Sequence, residues 1–344
     1  MPGRVGSWIR RRGAAGAPVA DDPRPVADTG TARTSALLER PPPDPATRAV
    51  ADDGHESCPE VTPLPWWTRR TFHDPEMEAR YRRDGYFRLP LLDPASIPAL
   101  RERFDGLYRG ETENSCHRSN ESSDIGYRKA LHELICDAMK PPALELLDDH
   151  HVLSTGALVK WRGPDSLISA HQDWTFVDET RFRTLSLWLP LCDVDEENGA
   201  LAVLPESHRV LSPMRMSPDK PSWYVDPVAR VDPHSLLLVP MRAGDCLVFD
   251  HGLLHSSPPN RTDVSRPAIV VGVAPTDADL VHHWRREDDV VERHAVLDRE
   301  FFRRYVPGDE PVGEDVSLLA TVEYAPHQPW IEQWLSERVR LRPA

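Results

Sequence analysis

The sequence lacks several features by which common protein classes are recognised. No stretch approaches the run of about 18 apolar residues that a transmembrane helix needs, so that class is excluded. The five cysteines are scattered, and none forms a Cys-x-x-Cys pair. This usage excludes the common zinc-ribbon spacings and favours a reducing cytoplasm over a disulfide framework. Arg10-Arg11-Arg12 precedes no apolar segment, so we expect neither a secretory nor a twin-arginine signal.

The chain also lacks an excess of basic residues. Its formal net charge of −14 argues against nucleic acid or an anionic membrane surface as the main partner. A local basic pocket for an anionic ligand is compatible with this charge. The 344 residues, of which 40% are hydrophobic, are enough for one large domain or two ordinary ones with a real core. Nothing in the sequence indicates an oligomeric state.

The composition changes twice along the chain. Residues 1–62 are rich in Pro, Ala, Arg, Asp and Thr without apolar periodicity, so we expect a disordered extension there, with a docking peptide as the alternative. We expect one domain over 63–344. Its helical N-terminal part contains a helix broken at Pro141-Pro142, and short β-favouring runs follow over about 151–275. This order predicts a mainly β sandwich or jelly roll with flanking helices, and the charged segment 281–341 is expected to be more helical.

Two residues in the β-rich part have the spacing of metal ligands. His171 and Asp173 are two residues apart, and in a β-strand such side chains project to the same face. They would supply two members of a 2-His-1-carboxylate set, which binds iron(II) and leaves positions open for substrate and oxygen. His255 is the best candidate for the third ligand, since it follows a strand and a turn at Gly252. His251 competes with it but precedes that glycine, so we expect a capping or supporting role for it.

A candidate arm for a cosubstrate follows the third ligand. Ser257 shares a strand face with that ligand, and Arg266 precedes a proline, which biases its backbone to an extended conformation. A planar guanidinium can hold a carboxylate through two parallel hydrogen bonds, and the distal carboxylate of 2-oxoglutarate is the logical partner. Lys160, on an earlier strand, is a further candidate for this pocket, with framework packing as the alternative. Arg261 competes with Arg266, but it lies in a polar turn where a solvated charge is expected.

These residues together resemble the phytanoyl-CoA dioxygenase family. The resemblance covers roughly residues 75–275 and is carried by Arg83-Asp84-Gly85-Tyr86, His171-x-Asp173, Asn198-Gly199-Ala200-Leu201, Pro205-Glu206-Ser207-His208, Gly244-Asp245, and His255-x-Ser257 with Arg266. It implies a double-stranded β-helix, that is, a cupin-like jelly roll. It also implies Fe(II) bound by His171, Asp173 and His255, and 2-oxoglutarate bound by Arg266 and Ser257. Because Asp173 is present, it implies hydroxylation rather than the halogenation of members that lack this carboxylate.

The resemblance implies a dioxygenase but leaves its substrate and product open. We expect hydroxylation of an unactivated C–H bond in a small organic molecule, such as a specialised metabolite or a lipid-like acyl compound, with release of succinate and carbon dioxide. Desaturation, cyclisation and epimerisation require the same Fe(II), 2-oxoglutarate and O2, and they stay open. Ascorbate is expected to support activity in vitro. In another class, a non-catalytic metal-binding jelly roll that senses or scaffolds would not need Arg266.

We expect the substrate to be bound by loops around the jelly roll. The candidate loops are 111–128, 174–183 and 210–230, and mere surface mobility is the alternative for the first of them. Trp174 and Phe176 follow the ligand pair and could face either the substrate or the core. The other aromatic residues of these loops, which suit a mid-sized organic molecule, are Phe182, Trp223 and Tyr224.

Overall fold

The computed structural model describes residues 68–109, 116–210, 215–217, 227–286, 290–323 and 329–342. The extension expected at 1–62 lies outside these residues. The described helices are α1 Pro75–Asp84, α2 Ile97–Leu107, α3 Ile125–Leu146, α4 Phe301–Arg304 and α5 Pro329–Ser336. The described strands are β1 Tyr86–Pro90, β2 Cys116–Arg118, β3 His150–Lys160, β4 Ile168–His171, β5 Leu185–Pro190, β6 Ala202–Val203, β7 Leu237–Leu238, β8 Asp245–Asp250, β9 His255–Ser257, β10 Arg266–Pro275, β11 Leu280–Arg285, β12 Val290–Val296 and β13 Val316–Glu323.

The first helix begins and ends at residues that cap helices well. The side chain of Asp74 accepts hydrogen bonds from the backbone N–H groups of Glu76 and Met77, which satisfies donors that the helix itself cannot. Gly85 ends the helix with a φ of 80°, in the left-handed region that glycine adopts without strain. The chain therefore turns directly into β1, the first strand of the sheet.

The helix α3 continues through a pair of prolines. The predicted break at Pro141-Pro142 is wrong, because both prolines lie inside this helix. Met139 and Ala143, on either side of the pair, are completely buried in the core. Packing on both sides of the prolines thus outweighs the two backbone hydrogen bonds that they remove, which local propensity alone would not allow.

The larger sheet has the strand order β1-β8-β5-β10-β3-β2 and is antiparallel throughout. Its two faces bury different sets of side chains, because successive residues of a strand point to opposite sides. In β5, Leu185, Leu187 and Leu189 pack with the N-terminal helices, whereas Trp188 belongs to a cluster on the other face. Burial on both faces explains why this strand is a nearly continuous apolar run.

The smaller sheet has the order β4-β9-β6-β7 and lies against the inner face of the larger one. Val203 of β6 shares a buried cluster with Trp188, Phe249 and Ala268 of the larger sheet. Two facing antiparallel sheets with an apolar interior form a jelly roll. The predicted fold class, mainly β with flanking helices, is therefore confirmed.

The C-terminal part differs from the prediction. Segment 281–341 is not mainly helical, because β11, β12 and β13 form a separate antiparallel sheet. His282 and His283 of β11 are buried, so they behave as core residues although a sequence pattern counts them as polar. Between this sheet and the jelly roll, Phe301, Phe302 and Tyr305 pack together in one buried cluster.

The polar segment 111–128 contains regular structure. Residues 116–118 form β2, which pairs with β3 and closes one edge of the larger sheet, and α3 begins at Ile125. A continuous loop over this range is therefore wrong for the described residues, because polar side chains are tolerated on an edge strand that faces solvent. Residues 110–115 lie outside the described part. No described helix is both long and apolar enough to span a bilayer.

Candidate metal centre and the cation pocket beside it

Three side chains meet at one end of the smaller sheet. His171 ends β4 and His255 begins β9, and the two residues are direct partners across these strands. Nε2 of His171 lies 3.9 Å from Oδ1 of Asp173, and Nε2 of His255 lies 3.8 Å from the same oxygen. The three candidate ligand atoms all lie within 4.8 Å of one another, and no other group among the described residues offers such a set. The structure thus brings together the three residues that the sequence predicts as metal ligands.

Backbone contacts fix the orientation of both imidazoles. Nδ1 of His171 lies 2.8 Å from the carbonyl oxygen of Ser169, and Nδ1 of His255 lies 2.9 Å from that of Leu253. A carbonyl can only accept, so Nδ1 carries the proton in each ring and Nε2 keeps its lone pair. The lone pairs therefore point to the side where Asp173 lies, as a metal site requires.

The protonation states at neutral pH also suit metal binding. Burial lowers the pKa of His255 to about 4, so its ring is neutral. Burial alone would raise the pKa of Asp173, but the electrostatics of the neighbouring histidines and of the permanently charged Arg215 keep it below its usual value. A metal ion needs neutral imidazoles and an ionised carboxylate, and the pKa shifts of His255 and Asp173 both favour these forms.

Arg266 is a buried cation for which the described part of the chain offers no acceptor. Its side chain is completely buried at the start of β10, and Nε, Nη1 and Nη2 have no hydrogen-bond partner among the described residues. The guanidinium carbon lies 5.3 Å from the ring centroid of Trp188, whose buried Nε1 also has no partner in that part of the chain. Burial lowers the pKa of Arg266 to about 10, which still leaves it charged at neutral pH. An uncompensated buried charge is costly, so an anion that supplied acceptors would stabilise this side chain.

Lys160 lies beside this cation but already has acceptors. It pairs with Arg266 in the register of β3 and β10, and it is completely buried. Its Nζ donates to the carbonyl oxygens of Ser257, at 2.9 Å, and Pro258, at 2.6 Å. Burial and the neighbouring guanidinium lower the pKa of Lys160 to about 6. Lys160 therefore joins β3 to the end of β9, and its predicted contact with a cosubstrate stays a prediction.

The Asn-Gly turn of the sequence packs onto the same point. Ser257 donates a hydrogen bond from Oγ to the carbonyl oxygen of Gly199, at 2.7 Å. Gly199 has a φ of 88°, and a Cβ there would lie 2.6 Å from the carbonyl oxygen of Pro258 and 3.3 Å from Nζ of Lys160. Only glycine fits this position, because any side chain would be strained and would displace the backbone that Lys160 holds. The role of Ser257 towards a cosubstrate also stays a prediction.

The two aromatic residues after the ligand pair lie in different surroundings. Phe176 is buried, with its ring 4.8 Å from that of Phe302 and 5.1 Å from that of His251. Trp174 is only partly buried, and its ring lies 6.2 Å from that of Tyr305. Trp174 is thus the more accessible of the two predicted substrate contacts. The candidate residues Trp223 and Tyr224 lie outside the described part of the chain.

His251 and Arg261, the alternatives to His255 and Arg266, have other contacts in the structure. His251 is buried, with Nδ1 2.7 Å from Oγ1 of Thr184 and Nε2 2.9 Å from Oγ of Ser186. It therefore supports the site without belonging to the metal-ligand group. Arg261 is on the surface, with Nη1 3.5 Å from Oε1 of Glu197. A solvated ion pair contributes little, as expected for a loop charge.

A buried ion pair beside Asp173 escaped the sequence reasoning. Nη1 of Arg215 donates to Oε2 of Glu179 at 2.7 Å, its Nη2 contacts the other carboxylate oxygen, and its Nε donates to the backbone carbonyl of Asp173. Both side chains of the pair are buried. They are 36 residues apart, so no local spacing links them. The pair therefore holds the backbone of the candidate ligand Asp173 through the carbonyl oxygen that Arg215 contacts.

The chain is similar to known proteins in both sequence and structure. The chain is similar to "Phytanoyl-CoA dioxygenase 1" of Oryza sativa subsp. japonica, with 30% identity over 127 residues, which are 37% of this chain and 45% of the relative. The matched part spans less than half the length of the curated relatives. Among solved structures, HygX from Streptomyces hygroscopicus, crystallised with nickel, 2-oxoglutarate and hygromycin B, has 15% identity and a TM-score of 0.46, covering 59% of this chain and 88% of that one.

A second solved structure is the non-heme alpha ketoglutarate dependent carbocyclase SnoK from nogalamycin biosynthesis. It has 22% identity and a TM-score of 0.46, and the match covers 72% of this chain and 96% of that one.

The family model described as phytanoyl-CoA dioxygenase matches residues 81–268. That range is more than half of the chain and includes the three candidate ligands and Arg266. The chain therefore belongs to the phytanoyl-CoA dioxygenase family.

Proposed function

We propose that the protein is an Fe(II)- and 2-oxoglutarate-dependent dioxygenase. It hydroxylates an unactivated C–H bond of a small organic molecule, with one oxygen atom of O2 entering the alcohol and the other entering succinate as carbon dioxide leaves. One observation carries this proposal: a buried guanidinium, with no acceptor among the described residues, lies in the same jelly-roll interior as a 2-His-1-carboxylate group. A metal-binding module alone would have no use for that cation.

The donor set of the candidate centre suits iron(II). Two neutral imidazole nitrogens and one carboxylate oxygen, from His171, His255 and Asp173, form the facial arrangement that leaves the remaining positions of the ion open. When bound there, Fe(II) would supply the reaction between O2 and 2-oxoglutarate that oxidises the substrate. The protein's contribution is to hold the ion, the cosubstrate and the C–H bond in register.

The cosubstrate fits the second part of the pocket. 2-Oxoglutarate has a keto-acid end that chelates metal and a second carboxylate that needs a cationic partner. Arg266 offers two parallel N–H donors to this carboxylate, and Nε1 of Trp188 is a further donor that no described residue engages. The hydroxyl of Ser257 can still accept or share a hydrogen bond there, and Lys160 adds positive charge when it is protonated.

The apolar surroundings of the centre protect the reaction from water. The ring of Phe249 lies 4.8 Å from that of His255, and Trp188 covers the guanidinium of Arg266. Water is therefore excluded from one side of the centre, which strengthens the charge interactions inside it. We propose that the substrate enters past the more accessible Trp174 and is contacted by loop 174–183. Most of the predicted loop 210–230 lies outside the described residues.

We further propose that the protein works in the cytoplasm on a small molecule, with neither nucleic acid nor a membrane as partner. The negative net charge supports the absence of nucleic acid. The cysteines at 116, 136, 192 and 246 are all free, which suits a reducing compartment.

The experiment that tests the function is release of succinate. Purified protein with Fe(II), ascorbate, O2 and 2-oxoglutarate should form succinate slowly, and faster with the true substrate, whose oxidised product mass spectrometry would identify. Asp173→Asn should abolish succinate release. Asp263→Asn, which changes a carboxylate that is 84% exposed, should leave it intact. Iron-loaded wild-type protein that forms no succinate with any candidate substrate would refute the proposal and favour a metal-binding sensor or scaffold.

A further inference from the structure

The second carboxylate oxygen of Asp173 has its own partner. Oδ1 faces both candidate imidazoles, whereas Oδ2 accepts a hydrogen bond from Oγ of Ser186, at 3.3 Å. Ser186 lies on β5 in the larger sheet and is buried. Behind it, Nε2 of His251 lies 2.9 Å from Oγ of Ser186, and Nδ1 of His251 lies 2.7 Å from Oγ1 of Thr184. Four side chains thus form a continuous hydrogen-bonded chain that ends on Asp173.

The chemistry of the groups fixes the direction of every hydrogen bond in this chain. An ionised carboxylate can only accept, so the single hydroxyl proton of Ser186 must point to Asp173. Ser186 then accepts from Nε2–H of His251, and Nδ1 of His251 accepts from the hydroxyl of Thr184. Each donor is used once, and no proton is left over.

The same histidine also holds Asp173 through the backbone. The N–H of Asp173 donates to the carbonyl oxygen of His251, at 2.9 Å. Asp173 lies beyond the end of β4, so no strand pairing fixes its side chain. The backbone contact and the Ser186 contact together leave the carboxylate one orientation, with Oδ1 towards the two histidines and Oδ2 turned away.

We propose that Ser186 and His251 are positioning residues that make Asp173 bind iron through Oδ1 alone. This inference rests on the proposed function. A carboxylate that bound through both oxygens would occupy a further coordination position, and the two donor atoms of 2-oxoglutarate and O2 need that position. Holding Oδ2 with a hydrogen bond keeps it away from the ion, as partners of ligating carboxylates commonly do.

The test compares metal binding of three serine variants in the absence of cosubstrate. Ser186→Ala removes the hydroxyl, and Ser186→Thr keeps it. Ser256→Ala is the matched control, because Ser256 is completely buried beside His255 but its Oγ has no hydrogen-bond partner within the described segments. Titration of the full-length apo protein with Co(II), followed by calorimetry and visible absorption, reports the affinity and the coordination of the ion without turnover.

Ser186→Ala should weaken Co(II) binding about 10- to 100-fold and change the visible spectrum, whereas Ser186→Thr and Ser256→Ala should stay within about threefold of wild type. His251→Gln, which keeps a donor near Nε2, should bind more tightly than His251→Leu. Equal affinities of wild type and Ser186→Ala would overturn the inference alone. An equal loss of Co(II) affinity in Ser256→Ala and Ser186→Ala would also overturn the inference, because altered packing rather than a lost hydrogen bond would then explain the effect. Wild-type protein that bound no metal would overturn the proposed function, and the inference with it.

Discussion

Replacing Arg266 with methionine is the sharpest perturbation of the proposed cosubstrate site. The guanidinium is completely buried, and none of its nitrogens has an acceptor among the residues that the structure describes. Each charge-assisted hydrogen bond contributes about 1.5–3 kcal/mol, and a carboxylate can receive two from one guanidinium. Loss of two such bonds would cost about 3–6 kcal/mol, which corresponds to a roughly 10²- to 10⁴-fold weaker binding of 2-oxoglutarate, at about 1.4 kcal/mol per factor of ten.

The assay is anaerobic calorimetric titration of 2-oxoglutarate into protein loaded with Mn(II). Arg266→Lys keeps the charge but not the planar pair of donors, so it should bind with intermediate affinity. Arg162→Met is the control for loss of charge, because Arg162 is 64% exposed and pairs only with the surface residue Asp263 among the described residues. Binding by Arg266→Met within about threefold of wild type would refute the assignment of this cation to the cosubstrate.

For the stability of the apo protein, we expect Arg266→Met to have the opposite effect. Without ligand, Arg266 is a buried charge that lacks compensation, so its removal should leave the free energy of unfolding of the apo protein unchanged or raise it. Urea unfolding of wild type and Arg266→Met checks this. A large loss of apo stability would mean that Arg266 supports the fold rather than a ligand.

Three further predictions concern the surroundings of the site. Gly199→Ala should lower the free energy of unfolding by about 1–3 kcal/mol, which is more than Gly313→Ala should, because Gly313 also has a positive φ but has open space around it. Equal losses of the two variants in denaturant unfolding would contradict the packing argument. Lys160, with a folded pKa of about 6, makes stability fall as the pH decreases from about 10 to about 6, because the unfolded chain binds the proton first. Lys160→Met should reduce this slope by up to about 1.4 kcal/mol per pH unit, measured by urea unfolding at about pH 7 and about pH 9, and an unchanged slope would argue against a buried neutral amine. Glu179→Gln should cost about 3–5 kcal/mol because it leaves a buried arginine without its counter-charge, whereas Glu197→Gln at the surface should cost less than about 1 kcal/mol, and similar melting curves would refute this difference.

The candidate ligands could be predicted from the sequence because short-range spacing encodes them. His171 and Asp173 come from one segment, and His255 and Ser257 come from another, so each pair has a recognisable local pattern. Arg266 follows at a short distance and starts a strand of its own. Family resemblance then joins these segments before any contact between them is known.

Residues that support the ligands could not be found in this way. Ser186 reaches Asp173 only because β5 of one sheet faces the end of β4 of the other, and this register depends on the complete fold. Arg215 and Glu179 meet for the same reason, across a separation that no helix or strand period describes. Their chemistry is common in any sequence, so only their positions in space distinguish them.

The errors in the fold have equally specific causes. The C-terminal sheet is hard to recognise in the sequence because buried histidines at 282 and 283 interrupt its apolar alternation. Strand β13 exposes both Leu318 and Leu319, so its residue pattern does not indicate a buried face. In α3, tertiary packing at Met139 and Ala143 overrides the strongest local breaker, a proline pair. In both regions, burial rather than residue type decides the structure.

The candidate ligands and the unpaired cation belong to opposite walls of the jelly roll. The two histidines lie on the smaller sheet, whereas Arg266 begins a strand of the larger one. A dicarboxylate bound at both ends would therefore link the two sheets. At a free concentration about a hundred times its dissociation constant, such a ligand adds about 2.7 kcal/mol to the free energy of unfolding. Amide protons of β9 and β10 should then exchange with deuterated solvent more slowly when the dicarboxylate is bound.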